Sequence, residues 1–93
     1  MKLLPIGSVV TLEEATKKIM ITGILVSDEG SRKTYDYIGV PFPEGFISNE
    51  TMLLFMHENI GQINFLGYVN AEVQGFRALV KKRLEAEEES EPV

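Results

Sequence analysis

His57 and Glu58 form the only place in this sequence where an imidazole adjoins a carboxylate. A histidine so placed could take or give a proton near neutral pH, and Asp36, reaching it across a sheet, would complete a minimal acid–base pair. Each residue also has a plainer role. A lone histidine in a turn ordinarily faces solvent or holds a loop hydrogen bond. An acid at a strand position ordinarily balances a neighbouring lysine, here Lys17 or Lys18. The plainer roles are the expected ones, so no catalytic residue is assigned and a small enzyme using Asp36 and His57 stands as an alternative. With one histidine and no cysteine, a metal site would have to combine a single imidazole with carboxylates, and no metal or other cofactor is expected. Gly7-Ser8 and Gly30-Ser31 lack the lysine and the glycine spacing that cradle phosphates, and read as turns.

The aromatic residues offer a second kind of chemistry. Tyr35, Tyr37, Phe42, Phe46 and Phe55 could stack nucleic-acid bases, but lysine and arginine do not interleave with them. Core packing is the expectation, and any member left exposed would serve as a protein-binding anchor. Charge argues the same way. Glu85, Glu87, Glu88, Glu89 and Glu91 supply five of the fourteen acids, so the chain through Leu84 is neutral and the net charge of −5 belongs to the end. A neutral body lacks the basic patch that phosphate-backbone binding needs, and nucleic acid is not an expected partner.

These residues must be positioned by a small fold. Ninety-three residues make one domain that buries roughly 60–65% of its unfolded surface. The division expected is a domain over residues 1–84 and an acidic tail over 85–93, frayed beyond about Glu87. No apolar run approaches the ~20 residues that cross a bilayer, and Met1 to Pro5 does not read as a secretory signal, so cytoplasmic residence without membrane insertion is the expectation.

The organising stretch is Thr34 to Val40, an aromatic and β-branched strand stopped by Pro41 and Pro43. Alternation sets Tyr35, Tyr37 and Gly39 on one face and Asp36, Ile38 and Val40 on the other. Pro-Glu-Gly at 43–45 suits a turn in which Gly45 takes a positive φ. Ser8 to Leu12 reads as a first strand, although Thr11 and Glu14 also spell a capping box for a short helix. Lys18 to Val26 is a strand apolar on both faces, with Gly23 marking a bulge. Thr51 to Met56 is too short for periodicity to separate strand from helix, and its position between strands favours strand. Gln62 to Tyr68 alternates as a half-solvated edge strand. Asn70 caps a helix whose apolar stripe is Val73, Phe76, Leu79, Val80 and Leu84, and the cost of Gly75 within it would have a packing reason if the helix crosses the sheet closely there. The predicted fold is α+β: five strands in hairpin order in a strongly curved antiparallel sheet, either open or closed as a small barrel, its buried face covered by one C-terminal helix.

Four motifs in order, Leu4-Pro5-Ile6-Gly7-Ser8-Val9-Val10, Lys18-Ile19-Met20-Ile21-Thr22-Gly23, Tyr35-Asp36-Tyr37-Ile38-Gly39-Val40 with Pro43-Glu44-Gly45, and Phe55-Met56-His57-Glu58-Asn59-Ile60, carry a resemblance over residues 3 to 68. The chain resembles the small proteins of unknown biochemical function encoded beside LXG-type toxins of the type VII secretion system in Gram-positive bacteria. The resemblance implies a cytoplasmic, non-enzymatic adaptor or targeting chaperone whose partner is the helical N-terminal region of such a toxin. An immunity protein that binds the toxin's C-terminal domain is the alternative. It supplies no catalytic or binding residue. From the residues themselves, Tyr35, Tyr37, Phe42, Phe46 and Met56 form the candidate partner-binding surface, which could receive an amphipathic helix.

Overall fold

The computed structural model describes the backbone of residues 3–90 and the side chains of residues 3–85. Five strands and one long helix follow one another as β1 Val9–Leu12, β2 Lys18–Asp28, β3 Lys33–Pro41, β4 Leu53–Phe55, β5 Ile60–Phe65 and α1 Ala71–Ser90. Short 3₁₀ turns at Asn49–Thr51 and His57–Asn59 precede β4 and β5. The class is α+β, as the sequence predicts. The helix alternative at Thr11 gives way because Val9, Val10 and Thr11 pair with Met20, Ile19 and Lys18.

All strand pairings are antiparallel, and the sheet order is β4-β3-β2-β1-β5. Two expectations are corrected here. The sheet is open rather than closed as a barrel, because β4 pairs only with β3 and β5 only with β1. Nor do the strands run wholly in hairpin order: β5 follows β4 in sequence but pairs with β1 at the opposite edge. The turn between them is held from both sides. Asp36 on β3 accepts the His57 amide at 2.8 Å, and the Asn59 carbonyl accepts the Glu13 amide, just past β1, at 2.8 Å.

The predicted bulge is present, with the β2–β3 register shifting between Ile21 and Gly23. Gly39, deep in β3, is glycine for want of space: a Cβ there would lie 2.5 Å from Ile19 Cγ2 and 2.8 Å from the Met20 carbonyl oxygen. Gly45 has the positive φ its turn requires, at 79°. Val10, Ile19, Ile21, Tyr37 and Phe55 form the core, joined by Leu3 and Leu4 from the segment before β1 and by Val80 from α1. That leading segment is stitched to β2 by hydrogen bonds from the Gly7 amide to the Ile21 carbonyl and from the Ile21 amide to the Ser8 carbonyl, both 2.8 Å.

The Asn70 cap is as predicted, its side chain accepting the Val73 amide at 3.0 Å. The apolar stripe of α1 is narrower than predicted. Val80 is buried and Leu84 packs against the core, whereas Phe76 and Leu79 stay exposed. The helix runs through Ser90, past the start of the predicted acidic tail at residue 85; residues 91–93 and the side chains of residues 86–90 lie outside the described residues. The predicted packing reason for Gly75 is absent, since a Cβ there would meet nothing within 4 Å.

Gly75→Ala should therefore stabilise the protein by about 0.5–1 kcal/mol through helix propensity alone. Gly39→Ala should destabilise it by about 1–3 kcal/mol through overpacking. Denaturant midpoints of the two variants check both signs.

Candidate functional site

The most interconnected polar group is the hydroxyl of Tyr37. It is carried into the core by β3 and is fully buried. The Leu4 amide donates to it at 2.9 Å, and it lies 2.6 Å from His57 Nδ1. A buried phenol proton needs an acceptor, and the imidazole nitrogen supplies one. Both groups are satisfied when the phenol donates to Nδ1 and the His57 ring carries its proton on Nε2. The Tyr37 ring is flanked by Phe55, centroids 5.4 Å apart, and by the His57 ring at 5.8 Å. Burial pushes the Tyr37 phenol up from its ordinary 10.0, opposed by the Leu4 amide, reinforced by the Asp36 charge and opposed again by Arg77.

Asp36 and His57 do meet, but not as an acid–base dyad. The carboxylate accepts the backbone amide of His57 while the imidazole turns to Tyr37. This corrects the expected pairing of Asp36 with Lys17 or Lys18: Lys17 instead binds both oxygens of Glu44, at 2.6 and 2.8 Å, and pulls that exposed carboxyl below its ordinary range. Asp36 is available to His57 because its side chain is buried where the chain turns out of β4. Among the described residues no group of three histidines or carboxylates converges as a metal site, and no helix is long and apolar enough to cross a membrane.

A cavity of about 250 Å³ lies between the leading segment and α1. Leu3, Leu4, Ile24, Tyr68 and Phe76 are among its lining, and Arg77 is the charged residue on its wall. Arg77 Nε donates to the Leu3 carbonyl at 3.1 Å, tying the helix to the leading segment. Neither Asp36 nor His57 lines this space.

The predicted partner-binding residues divide. Phe42 and Phe46 are exposed, Phe46 at 63% of its surface. Tyr35 and Met56 are half-buried, and the Lys33 ammonium covers the Tyr35 ring at 4.9 Å from its centroid. Tyr37 is corrected: it belongs to the core and presents nothing to a partner. Sequence reasoning missed other exposed apolar residues, chiefly Ile47, Phe65, Tyr68, Phe76 and Leu79. A signal existed for Leu79. At 3.6 residues per turn it projects roughly 100° away from Val80, outside the arc shared by Val73, Val80 and Leu84.

Fold and site together define a small open-sheet α+β domain whose polar centre is a buried tyrosine paired with a half-buried histidine. The chain belongs to the family described as Domain of unknown function (DUF4176), whose profile matches residues 3–76. No curated protein and no solved structure matches it.

Tyr37→Phe should cost about 1–3 kcal/mol, because the Leu4 amide loses its buried acceptor. The raised Tyr37 value gives the sign with pH. The neutral phenol is the form the fold favours, so its stabilisation is complete below the unfolded value near 10 and is lost as pH rises through the folded one. Wild-type denaturant midpoints should fall in that alkaline window, and Tyr37→Phe should flatten the fall. A long-range ¹H–¹⁵N spectrum at neutral pH should show His57 Nδ1 without a proton.

Proposed function

We propose that this chain is a non-enzymatic protein-binding adaptor, a targeting chaperone acting in the cytoplasm on an LXG-type toxin exported by a type VII secretion system. The observation that carries protein binding is the segment from Phe42 to Leu53, which leaves Phe42, Phe46, Ile47 and Leu53 exposed within a short length of chain. Clustered exposed apolar residues of this kind mark interaction surfaces, whereas scattered ones need no explanation. The toxin as partner rests on the resemblance carried by the four ordered motifs in residues 3 to 68.

The reading includes a strongly curved sheet. Four strand spacings, roughly 19 Å if flat, separate β4 from β5. The link between them is only Met56 to Asn59, most of it a compact 3₁₀ turn. Curvature brings the two edges within its reach and gives a concave surface suited to an amphipathic helix.

Co-expression with separate toxin fragments tests the proposal. The toxin's N-terminal region should co-purify as a stable complex, and Phe46→Asp should abolish capture while leaving the circular dichroism spectrum unchanged. Absence of a complex, together with toxin export unchanged on deletion of this protein, would remove the adaptor reading. Capture of the toxin's C-terminal domain alone would replace it with an immunity protein.

A further inference from the structure

The outer face of α1 carries a pattern that the core does not account for and that meets the cavity only at Phe76. Glu72, Phe76, Leu79 and Arg83 follow one another at steps of four, three and four residues. At 3.6 residues per turn they fall within about 60° of one another, on a strip roughly 90° from the Val73–Val80–Leu84 stripe, in which Val80 is buried and the other two half-buried. Phe76 is 48% and Leu79 64% exposed, and Glu72 and Arg83 are exposed as well. Among the described residues neither charge has an ion-pair partner, the pair Lys17–Glu44 being the one that forms.

The strip reads the same in both directions with its charges reversed. A two-fold axis passing between Arg77 and Ala78 sets Phe76 against Leu79 of a second copy and Glu72 against Arg83 of that copy, each contact occurring twice. This is the self-complementarity that an isologous dimer requires. A parallel arrangement would instead oppose Glu72 to Glu72 and Arg83 to Arg83, so the charges also specify direction. Antiparallel helices further align their dipoles favourably. Because α1 continues to Ser90, the last turns of the second copy would run past Ala71 alongside Tyr68, which is 78% exposed.

We infer that the outer face of α1 is the interface of an antiparallel homodimer, with Phe76 and Leu79 at its centre and Glu72–Arg83 ion pairs at both ends. A helix pair of this length is at the low end of stable interfaces, so the dimer should dissociate in roughly the micromolar to tens-of-micromolar range.

Sedimentation equilibrium of the full chain over a concentration series tests this, with circular dichroism confirming that each variant is folded. The wild type should show a monomer–dimer equilibrium. Glu72→Arg and Arg83→Glu should each weaken it about tenfold, since each places two like-charge pairs in the interface. The double variant E72R/R83E should recover wild-type dimerisation, and Leu79→Asp should be monomeric. A wild type that stays monomeric into the submillimolar range overturns the inference. So does a dimer indifferent to all four variants, or a double variant as weak as either single one.

Discussion

The Tyr37 hydroxyl is the constraint on which most of this structure depends. It stands where three segments far apart in sequence come together: the leading segment through the Leu4 amide, β3 through its own backbone, and the turn after β4 through His57. A hydroxyl has one proton to give, and here the imidazole nitrogen stands in reach of it while the oxygen receives the amide. The buried hydroxyl is thereby matched inside an apolar core, and no buried side-chain nitrogen or oxygen among the described residues is left unpaired. Apolar packing alone would hold these segments together, but it would not fix their relative position, because it is non-directional.

The same region explains how β5 reaches the far edge of the sheet. β4 is three residues long and ends at the buried Phe55, so the chain must leave immediately. Asp36 receives the first amide of the 3₁₀ turn, and Glu13 donates to its last carbonyl. One anchor lies on β3 and the other beyond β1, and between them they direct the chain onto β1 rather than back along β4. Gly67 then packs against the backbone of Ile6 and Gly7, with its amide donating to the buried Ser8 hydroxyl at 2.9 Å. The entry to α1 is thus fixed by contacts with the leading segment, and Arg77 repeats that attachment two turns later.

What could be read from the sequence follows from how local each signal is. The strands, the Gly23 bulge, the Gly45 turn and the Asn70 cap are set by neighbouring residues, and their residue types declare them. The path of β5 could not be read this way, because the turn before it is held by a hydrogen bond accepted by Asp36 and one donated by Glu13, both distant in sequence. Tyr37 was misplaced for a related reason. A tyrosine in an alternating strand suits a surface as well as a core, and only the Leu4 amide and His57, brought in by tertiary structure, decide the matter. For Asp36 the competition lay between a lysine near in pattern and an amide near only in space. Burial favoured the amide, because a hydrogen-bonded carboxylate in the core is satisfied where a flexible surface lysine cannot follow.

The distribution of uncovered apolar side chains is what separates this domain from an inert small fold. A chain of this size cannot enclose every large side chain, and isolated exposures would carry no meaning. Here they fall in groups, one from Phe42 to Leu53 after β3, one on β5 and the segment that leads into α1, and one on the outer face of α1, and the first and last differ in chemistry. The connection presents Phe46 and Ile47 beside a turn braced by Lys17 and Glu44, with no charge pattern that would match a copy of itself. The α1 strip is bracketed by opposite charges in a palindromic spacing, which does match a copy of itself. A surface without self-complementarity suits a different partner, and one with it suits an identical partner. Because they lie on different elements, one surface can pair two copies while the other remains open to a second protein.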